Sequence, residues 1–316
     1  MEGLTLPPIV LESPATMIPA CKPNDTQGVV LQLVLAECLI GSVGVFVHES
    51  HQDAVTAVFY RCLFGGLFLL GWGLSKGHLR GLWRERALLR GAALSGVLLV
   101  LNWVAFFGGM ARSSIGVATL VYQSFPFVML VLAALVQGER TQPADLAWTV
   151  LGFVGVICTS DPVRLFRHAE PSYLIGVGLA FLAALFCGVS LSISRHVGKQ
   201  RPFALVTIQC WVGVAMLAGF SSSSVFHMGF HWAWLLGLGV IHSGIVYVLF
   251  YSTYPRLPVV TIAVVSFIYP LVALLLDYLL YGHHLVPVQM AGIALIILGT
   301  LGVNLRWRPG SAWKTT

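Results

Sequence analysis

The amino-acid sequence predicts an all-α membrane protein with ten transmembrane helices, arranged as two inverted five-helix repeats with both termini cytoplasmic. Two bulk observations predict the membrane class: 57% of the 316 residues are hydrophobic and only 9% are charged, with a mean hydropathy of +0.86. An ordinary soluble domain carries about 25% charged residues, so this chain has too little polar surface to coat a soluble particle. The third observation, an internal repeat, predicts the two halves.

Ten apolar segments are long enough to cross a bilayer as helices. They lie near residues 28–48, 55–74, 88–108, 115–136, 145–160, 172–192, 203–220, 232–251, 258–281 and 286–305. The loops between them are short, which leaves no room for a separate soluble domain. If the N-terminus is cytoplasmic, most Lys and Arg residues fall in inner loops, as the positive-inside rule requires. We therefore expect a multi-pass protein of the cell (inner) membrane.

The net charge of +6 does not predict nucleic-acid binding, because the basic residues are spread over short loops between apolar segments. The expected partner of this surface is the lipid bilayer. The six cysteines form no Cys-x-x-Cys pair and five lie in apolar segments, where cysteine acts as a small hydrophobe. We expect no disulfide, no metal, no cofactor and no catalytic residue.

The two halves of the chain repeat each other at a shift of 144 residues. The pairs in register are Arg112 with Arg256, Pro126 with Pro270, Gly138 with Gly282, Pro143 with Pro287, and Gly155 with Gly299. Each half holds five spans, and an odd number makes the second half enter the membrane from the opposite side. The predicted division is a tail (1–27), a first repeat (28–160), a connecting loop (161–171), a second repeat (172–305) and a tail (306–316). Inverted repeats are typical of secondary transporters, whose substrate sites lie between the halves.

Several motifs, taken together and in order, resemble the EamA-type bacterial members of the drug/metabolite transporter superfamily. They are Tyr60-Arg61, Asn102-Trp103, the stretch from Pro126 to Gly138-Glu139-Arg140, Gly152 with Gly155, and the second copy through Pro270, Gly282 and Gly299. The resemblance covers nearly all of residues 28–305. It implies alternating access, export of amino acids or other small metabolites, frequent proton coupling, and a central cavity lined mainly by spans three, four, eight and nine. One departure is Gly282-His283-His284, where the family often repeats Gly-Glu.

Polar and aromatic side chains on those four spans are the candidate substrate-binding residues, since they can stack on and hydrogen-bond a small amphipathic solute. They are Asn102, Trp103, Tyr122, Gln123, Ser124, His242, Tyr247, Tyr251, Ser266 and Tyr269. Tyrosines near span ends also fit an aromatic belt. Pro126 and Pro270 interrupt their spans, and either serve as hinges beside the cavity or only kink helices for packing.

Charged groups inside a bilayer are costly, so each one within a span requires an explanation. Glu37 and Arg61 lie well inside spans one and two, at depths that allow the long arginine side chain to reach the carboxylate. Such a pair couples transport to protons, binds an anion, or only fixes helix register. His242 in span eight is either a helix–helix hydrogen-bonding residue or a titrating switch.

Two further groups of residues have alternative explanations. His48, His51, His168, His227 and His231 all map to the outer side, where they either approach a metal site or belong to short polar loops. Glycines 152, 155, 299 and 302 let helices approach closely, either within the bundle or at a homodimer contact. The protein is expected to be a monomer or a homodimer.

We expect a secondary transporter, most readily an exporter, of a small-molecule substrate such as an amino acid or a derivative. Two other classes stay open at this point. An intramembrane enzyme would need a nucleophile motif or clustered ligands, which the sequence lacks. A passive channel or a non-transporting receptor would not need paired broken helices with a buried charge pair.

Overall fold

The computed structural model describes residues 23–113, 115–138, 142–159, 170–198, 201–221, 229–281 and 287–307. Within these residues the chain is all-helical and contains no strand, which confirms the all-α prediction. The predictions made for residues 1–22, for Glu139-Arg140, for most of the connecting loop, for Gly282-His283-His284 and for residues 308–316 lie outside the described residues.

The described residues form a series of helices. In chain order they are α1 (Pro23–Ile40), α2 (Val43–Ser50), α3 (Ala54–Ser75), α4 (Arg86–Arg112), α5 (Ile115–Tyr122), α6 (Phe125–Gln137), α7 (Pro143–Thr159), α8 (Pro171–Val197), α9 (Pro202–Leu217), α10 (Trp232–Gly237), a π-helical turn (Leu238–Ile245), α11 (Val246–Thr253), α12 (Val259–Val265), α13 (Ile268–Tyr281) and α14 (Pro287–Asn304). Within the part of the chain that the structure describes, single 3-10 turns cover Leu82–Arg84, Gly229–His231 and Tyr254–Arg256.

Six helical stretches among the described residues are long and apolar enough to cross a membrane. They are Thr26–Ser50, Ala54–Ser75, Arg86–Arg112, Pro171–Val197, Gly229–Arg256 and Val259–Leu280. Shorter apolar helices cover Phe125–Val136, Pro202–Leu217 and Met290–Val303. Large apolar side chains such as Leu135, 79% exposed, face outward from these helices. The predicted membrane class is confirmed, because such surfaces are stable only against lipid.

Among the described residues, four apolar stretches are not continuous α-helices. The first breaks at Gly41-Ser42 between α1 and α2, the second at Gln123-Ser124 between α5 and α6, and the third at Ser266-Phe267 between α12 and α13. The fourth passes through the π-helical turn. Pro126 and Pro270 each lie in the first turn of the helix after a break, where the missing proline N–H costs no intrahelical hydrogen bond.

Several helices of the bundle pack in close pairs. Helices α4 and α8 run antiparallel, since Asn102 Nδ2 donates to the Ala183 carbonyl at 2.8 Å and Ser190 Oγ donates to the Ser95 carbonyl at 2.8 Å. Helix α3 packs against α9, and α7 packs against α14. Helix α3 also packs against the π-helical turn, while α9 packs against α4.

Glycines permit a close approach between α7 and α14. A Cβ atom on Gly155 would lie 2.7 Å from the Gly292 carbonyl oxygen, and one on Gly299 would lie 2.7 Å from the Trp148 carbonyl oxygen. Any larger residue would force the two backbones apart. The glycines therefore serve packing within the bundle, which is one of the two roles that the sequence allowed.

Candidate functional site: a charged, aromatic central cavity

A central cavity lies where the broken helices meet. Its wall combines aromatic side chains with a few polar groups, as is typical of small-molecule sites. The lining residues are Glu37, Ile40, Val43, Arg61, Trp103, Phe106, Phe107, Tyr122, Gln123, Phe125, Cys187, Leu191, Tyr247, Phe250, Tyr254, Ser266 and Tyr269. Among the described residues, its charged groups are one carboxyl and one guanidinium.

Most of the residues predicted from the sequence lie on this wall. They are Glu37, Arg61, Trp103, Tyr122, Gln123, Tyr247, Ser266 and Tyr269. Asn102, Ser124, His242 and Tyr251 do not line it. Asn102 lies behind the wall, where its amide binds α8, and the Ser124 hydroxyl donates to the Val121 carbonyl within the helix break at 2.7 Å.

The helix that carries Arg61 begins at a strong cap outside the membrane-spanning segment. The Asp53 carboxylate accepts hydrogen bonds from the backbone amides of Val55 at 3.0 Å and Thr56 at 3.1 Å. Partial burial by itself would raise the pKa of Asp53, but hydrogen bonds from the Thr56 side chain and from these backbone amides lower it. An ionised carboxylate also suits the positive end of the helix dipole.

Arg61 is almost completely buried, with 2% of its surface exposed. Its Nε donates to Ser243 Oγ at 2.7 Å and its Nη2 donates to the His242 carbonyl at 3.3 Å. Its guanidinium carbon lies 4.1 Å from the centre of the Trp103 ring. Both acceptors belong to the π-helical turn, where displaced backbone hydrogen bonding can leave a carbonyl available. The charge is thus stabilised by a hydroxyl, a carbonyl and an aromatic face.

Glu37 lies on the same cavity, 3% exposed, in contact with the side chain of Ser266. Ser266 Oγ in turn donates to the Ile262 carbonyl at 2.8 Å. No ion pair between Glu37 and Arg61 is found in the described part of the chain. The structure therefore brings the two charged residues to one cavity but keeps their charges apart.

Gln123 connects two helix breaks across the bundle. Its Nε2 donates to the Ser266 carbonyl at 3.2 Å, so the break before α6 contacts the break before α13. Its Oε1 is buried and has no hydrogen-bond partner within the described residues. A buried acceptor without a donor is unfavourable by about 1–3 kcal/mol, so a hydrogen bond to this oxygen would stabilise the site.

Trp103 and Tyr247, which the 144-residue shift places in register, touch each other. Trp103 Nε1 donates to the Tyr247 hydroxyl at 3.0 Å, and the two rings meet edge to face at a centroid distance of 5.4 Å. Arg61 lies over both rings, at 4.1 Å from Trp103 and 5.9 Å from Tyr247. The pair forms a rigid aromatic wall behind the guanidinium.

His242 points away from the cavity, toward the break between α1 and α2. Its Nε2 lies 2.9 Å from Ser42 Oγ, and its ring meets the Phe46 ring at 4.7 Å. Its side chain therefore connects two interrupted helices, α1–α2 and the π-helical turn. This position fits the hydrogen-bonding alternative that the sequence left open for this residue.

Tyr251 belongs to a second polar cluster beside the cavity, in contact with Ser194 and Gln209. Gln209 Nε2 donates to Ser95 Oγ at 2.8 Å and to Ser194 Oγ at 3.1 Å. The cluster joins α4, α8, α9 and α11. Its buried hydrogen bonds connect neighbouring helices of the bundle.

Several cavity residues were not predicted from the sequence. They are Ile40, Val43, Phe106, Phe107, Phe125, Cys187, Leu191, Phe250 and Tyr254. Cys187 and Leu191 show that α8, in span six, also contributes to the wall, and the Tyr122 hydroxyl lies 3.1 Å from Cys187 Sγ. Apolar side chains carry no sequence signal that separates a cavity wall from a helix contact or a lipid-facing surface.

Three of the predicted outer histidines come together in the structure. The rings of His51 and His231 lie 4.8 Å apart and those of His48 and His51 lie 6.2 Å apart. His231 Nδ1 is 2.9 Å from the Glu49 carbonyl. The described residues contain no group of three or more His, Cys, Asp or Glu side chains arranged to hold a metal ion. His168 and His227 lie outside the described residues.

Comparison with protein families gives a match along nearly the whole chain. The EamA-like transporter family model matches twice, over residues 27–161 and 174–305. An uncharacterized transporter of Bacillus subtilis, YxxF, is 28% identical over 300 residues, which cover 93% of this chain and 94% of that protein.

Two other relatives have names that state a substrate. A riboflavin transporter of Rhizobium johnstonii is 30% identical over 186 residues, covering 53% of this chain and 55% of that protein. A probable terminal-alkyne amino-acid exporter of Streptantibioticus cattleyicolor is 23% identical over 228 residues, covering 70% of this chain and 72% of that protein. A solved crystal structure shares the fold with a TM-score of 0.74 at 20% sequence identity, over 90% of this chain and 98% of that one.

Proposed function

Because the chain belongs to the EamA-like transporter family, we propose that it is a secondary transporter that exports a small organic metabolite by alternating access. The substrate path is the central cavity between the two repeats. The observation that carries this proposal is a carboxyl and a guanidinium on one aromatic wall, held apart from each other and placed where helix breaks meet. Such a site can bind and release a solute without covalent chemistry.

Contacts between helices support ten spans of alternating direction. If successive spans alternate in direction, α4 is antiparallel to α8 and α7 is antiparallel to α14. The contacts within each of these two pairs do run in opposite directions along the two sequences. The same alternation makes α4 parallel to α9. Gly96 contacts Gln209 and Val100 contacts Gly213, so the contacts run in the same direction along both helices. These contacts are those expected of two repeats with opposite orientation in the membrane.

Packing also supports a two-fold relation between the repeats. The pairs α3–α9 and α7–α14 each join corresponding spans of the two halves. A two-fold relation also converts the contact between α3 and the π-helical turn into the contact between α9 and α4. Trp103 and its counterpart Tyr247 contact each other, as such a relation allows. We place the repeats at residues 28–160 and 172–305, joined by the loop 161–171 and flanked by the tails 1–27 and 306–316.

The charge distribution supports cytoplasmic termini in the inner membrane. With the N-terminus inside, the loops on the outer side contain only Arg112, Arg164 and Arg167 of all the Lys and Arg residues. Arg61 lies within a span, and every other basic residue falls in an inner segment. This bias is the one that the positive-inside rule requires.

The cavity favours a zwitterionic, amphipathic solute such as an amino acid or a derivative. The Arg61 guanidinium provides hydrogen-bond donors for a carboxylate, while Glu37 and the unpaired Oε1 of Gln123 provide acceptors for an ammonium group. The rings of Trp103 and Tyr247 supply the apolar contact surface. One relative is named an amino-acid exporter, and another is named a riboflavin transporter, whose solute is larger and more planar.

Glu37 is the proposed site of proton coupling. Glu37 is buried on the cavity wall beside Ser266, and we propose that its carboxyl carries the coupled proton there. Loss of that proton to the opposite side of the membrane would leave an uncompensated charge beside the cavity. Substrate ammonium binding then compensates that charge.

Transport in proteoliposomes tests the proposal. Purified protein is reconstituted with labelled amino acids, aromatic and aliphatic, and flux is measured with and without an imposed pH gradient. We expect flux that a gradient accelerates, and we expect Glu37→Gln to remove the acceleration and to leave a slower, gradient-independent substrate exchange, because the amide still accepts a hydrogen bond from the ammonium group but carries no charge. Glu170→Gln serves as the control, because Glu170 is an exposed carboxylate at the start of α8. Absence of flux for every solute in a broad panel would instead favour a receptor.

We propose a monomer or a homodimer as the functional unit. The glycines of α7 and α14, which could have marked a dimer contact, are already used inside one protomer. Mass measurement of the detergent-solubilised protein decides between the two states.

A further inference from the structure

A strongly basic loop connects α3 to α4. The basic loop, defined as residues 76–90 and so including the first turn of α4, contains five exposed cationic side chains, namely Lys76, Arg80, Arg84, Arg86 and Arg90. Its single acidic residue is Glu85, which is also the only acidic residue between Asp53 and Glu139 in the sequence. The loop lies at the end of two apolar helices that are long enough to cross the membrane, so it is located at the membrane surface.

The loop is a folded platform. Arg201, at the start of α9, donates through Nη2 to the carbonyls of His78 at 2.8 Å and Arg80 at 2.7 Å. The His78 ring stacks on Phe203 with ring centres 4.8 Å apart. Gly77 and Gly81 adopt positive φ angles of 71° and 69°, a conformation that favours glycine. These contacts fix the backbone from which the arginines project.

Arg201 also removes the only negative charge of the loop, because its Nη1 forms an ion pair with the Glu85 carboxylate. None of the five exposed cations forms an ion pair with another described residue. Lys76 has a contact with the Trp72 ring, at 5.8 Å from its centre. The platform therefore presents concentrated positive charge that the described protein residues leave uncompensated.

Exposed apolar side chains lie beside these cations. Trp83, within the loop, is 85% exposed, and Leu74 and Trp72 at the end of α3 are 64% and 47% exposed. Water is a poor environment for an exposed indole, whereas the headgroup region of a bilayer accommodates both its ring and its N–H. The combination of cations and an exposed indole fits the boundary between lipid headgroups and acyl chains.

We propose that the basic loop is a binding site for the headgroups of anionic phospholipids. Arg80, Arg84 and Arg86 bind the phosphate diester and neighbouring headgroup oxygens, because a guanidinium presents paired N–H donors that match phosphate oxygens. Trp83 inserts at the headgroup level and holds the loop against the membrane. The proposal does not depend on the transported substrate.

Lipid titration of the purified full-length protein tests this site. The thermal unfolding midpoint is measured in neutral detergent as either phosphatidylglycerol or phosphatidylcholine is added. We expect phosphatidylglycerol to raise the midpoint and phosphatidylcholine to have a much smaller effect. The variant Arg80→Gln/Arg84→Gln/Arg86→Gln should bind phosphatidylglycerol with an apparent affinity at least about tenfold weaker, since each basic residue near an anionic surface contributes to attraction.

Two control variants separate a defined site from general electrostatics. Arg112→Gln/Arg256→Gln/Arg306→Gln removes the same charge from exposed positions elsewhere and should retain the phosphatidylglycerol response. Replacing the three loop arginines with lysines should retain most of it, which would also show that the loop tolerates substitution.

Three outcomes would overturn the proposal. The first is an equal loss of the lipid response in the loop variant and in the control variant with charges removed elsewhere. The second is an unchanged response in the loop variant. The third is saturation of the same stabilisation by inorganic phosphate alone, which would indicate a site for a soluble anion.

Discussion

A methyl group added at Gly65 tests the contact that positions Arg61. Gly65 lies on α3, one turn after Arg61, and faces the π-helical turn. A Cβ atom at this position would lie 2.8 Å from the Gly239 carbonyl oxygen and 2.9 Å from Ser243 Cβ. Both distances are shorter than van der Waals contact, and one neighbour is backbone. Gly65→Ala therefore pushes the π-helical turn away from α3 and lengthens the hydrogen bond from Arg61 to Ser243.

The magnitude follows from a comparison on the same helix. Gly71, also on α3, is exposed and has no atom within 4 Å of an added Cβ. Replacing a helical glycine with alanine stabilises by about 0.5–1 kcal/mol through the backbone alone, and that gain applies to both positions. Overpacking costs about 1–3 kcal/mol and applies only to Gly65. We expect Gly65→Ala to be less stable than Gly71→Ala by about 1–3 kcal/mol.

Unfolding of the purified variants in detergent, followed by circular dichroism, measures this difference. Transport by the same variants in proteoliposomes reports whether the Arg61 contact matters for flux. We expect Gly71→Ala to transport like the wild type and Gly65→Ala to transport more slowly. Equal stability of the two variants would refute the reasoning, since it would mean that α3 and the π-helical turn do not pack as closely as the structure places them.

Two further predictions concern hydrogen bonds. Trp103→Phe and Tyr247→Phe each remove the same hydrogen bond, so a double-mutant cycle should give a coupling free energy of about 1 kcal/mol; additive effects on unfolding would argue against the bond. Asp53→Ala should destabilise the protein by about 1 kcal/mol at neutral pH through loss of the helix cap. Because the folded-state pKa of Asp53 lies below its ordinary value of 3.8, the stabilisation is present above that value and disappears as the pH falls through the folded-state pKa. Unfolding of the variant and the wild type across pH should therefore converge in acid, and a constant difference would contradict this account.

The sequence predicted the parts of the site that are chemically unusual for a membrane. Glu37 and Arg61 stand out because charge within a span is costly, and both line the cavity. Pro126 and Pro270 indicated interrupted helices, and each follows a break. These signals are local, because a charged residue or a proline is improbable within a membrane span unless the structure requires it.

Other features depend on geometry that the sequence does not encode locally. The break at Gly41-Ser42 and the π-helical turn contain only residues that an uninterrupted span also tolerates. His242 was a candidate for the cavity, but it lies against Ser42. Helical position alone did not indicate on which side of its helix this side chain would lie. Phe250 on the cavity wall and Leu135 on the lipid side are equally apolar, so only packing distinguishes them.

Separation of the two cavity charges has an energetic consequence for binding. If Glu37 and Arg61 formed an ion pair, a zwitterionic solute would have to break it, and its own contacts would only restore what was lost. Arg61 is instead held by Ser243, the His242 carbonyl and the Trp103 face, and Glu37 is held by Ser266. These partners stabilise each group without saturating it, since a guanidinium has five N–H donors and a carboxyl group has several acceptor positions. We infer that the solute's own opposite charges complete both groups, so that binding strengthens contacts across the helix breaks on both sides of the cavity.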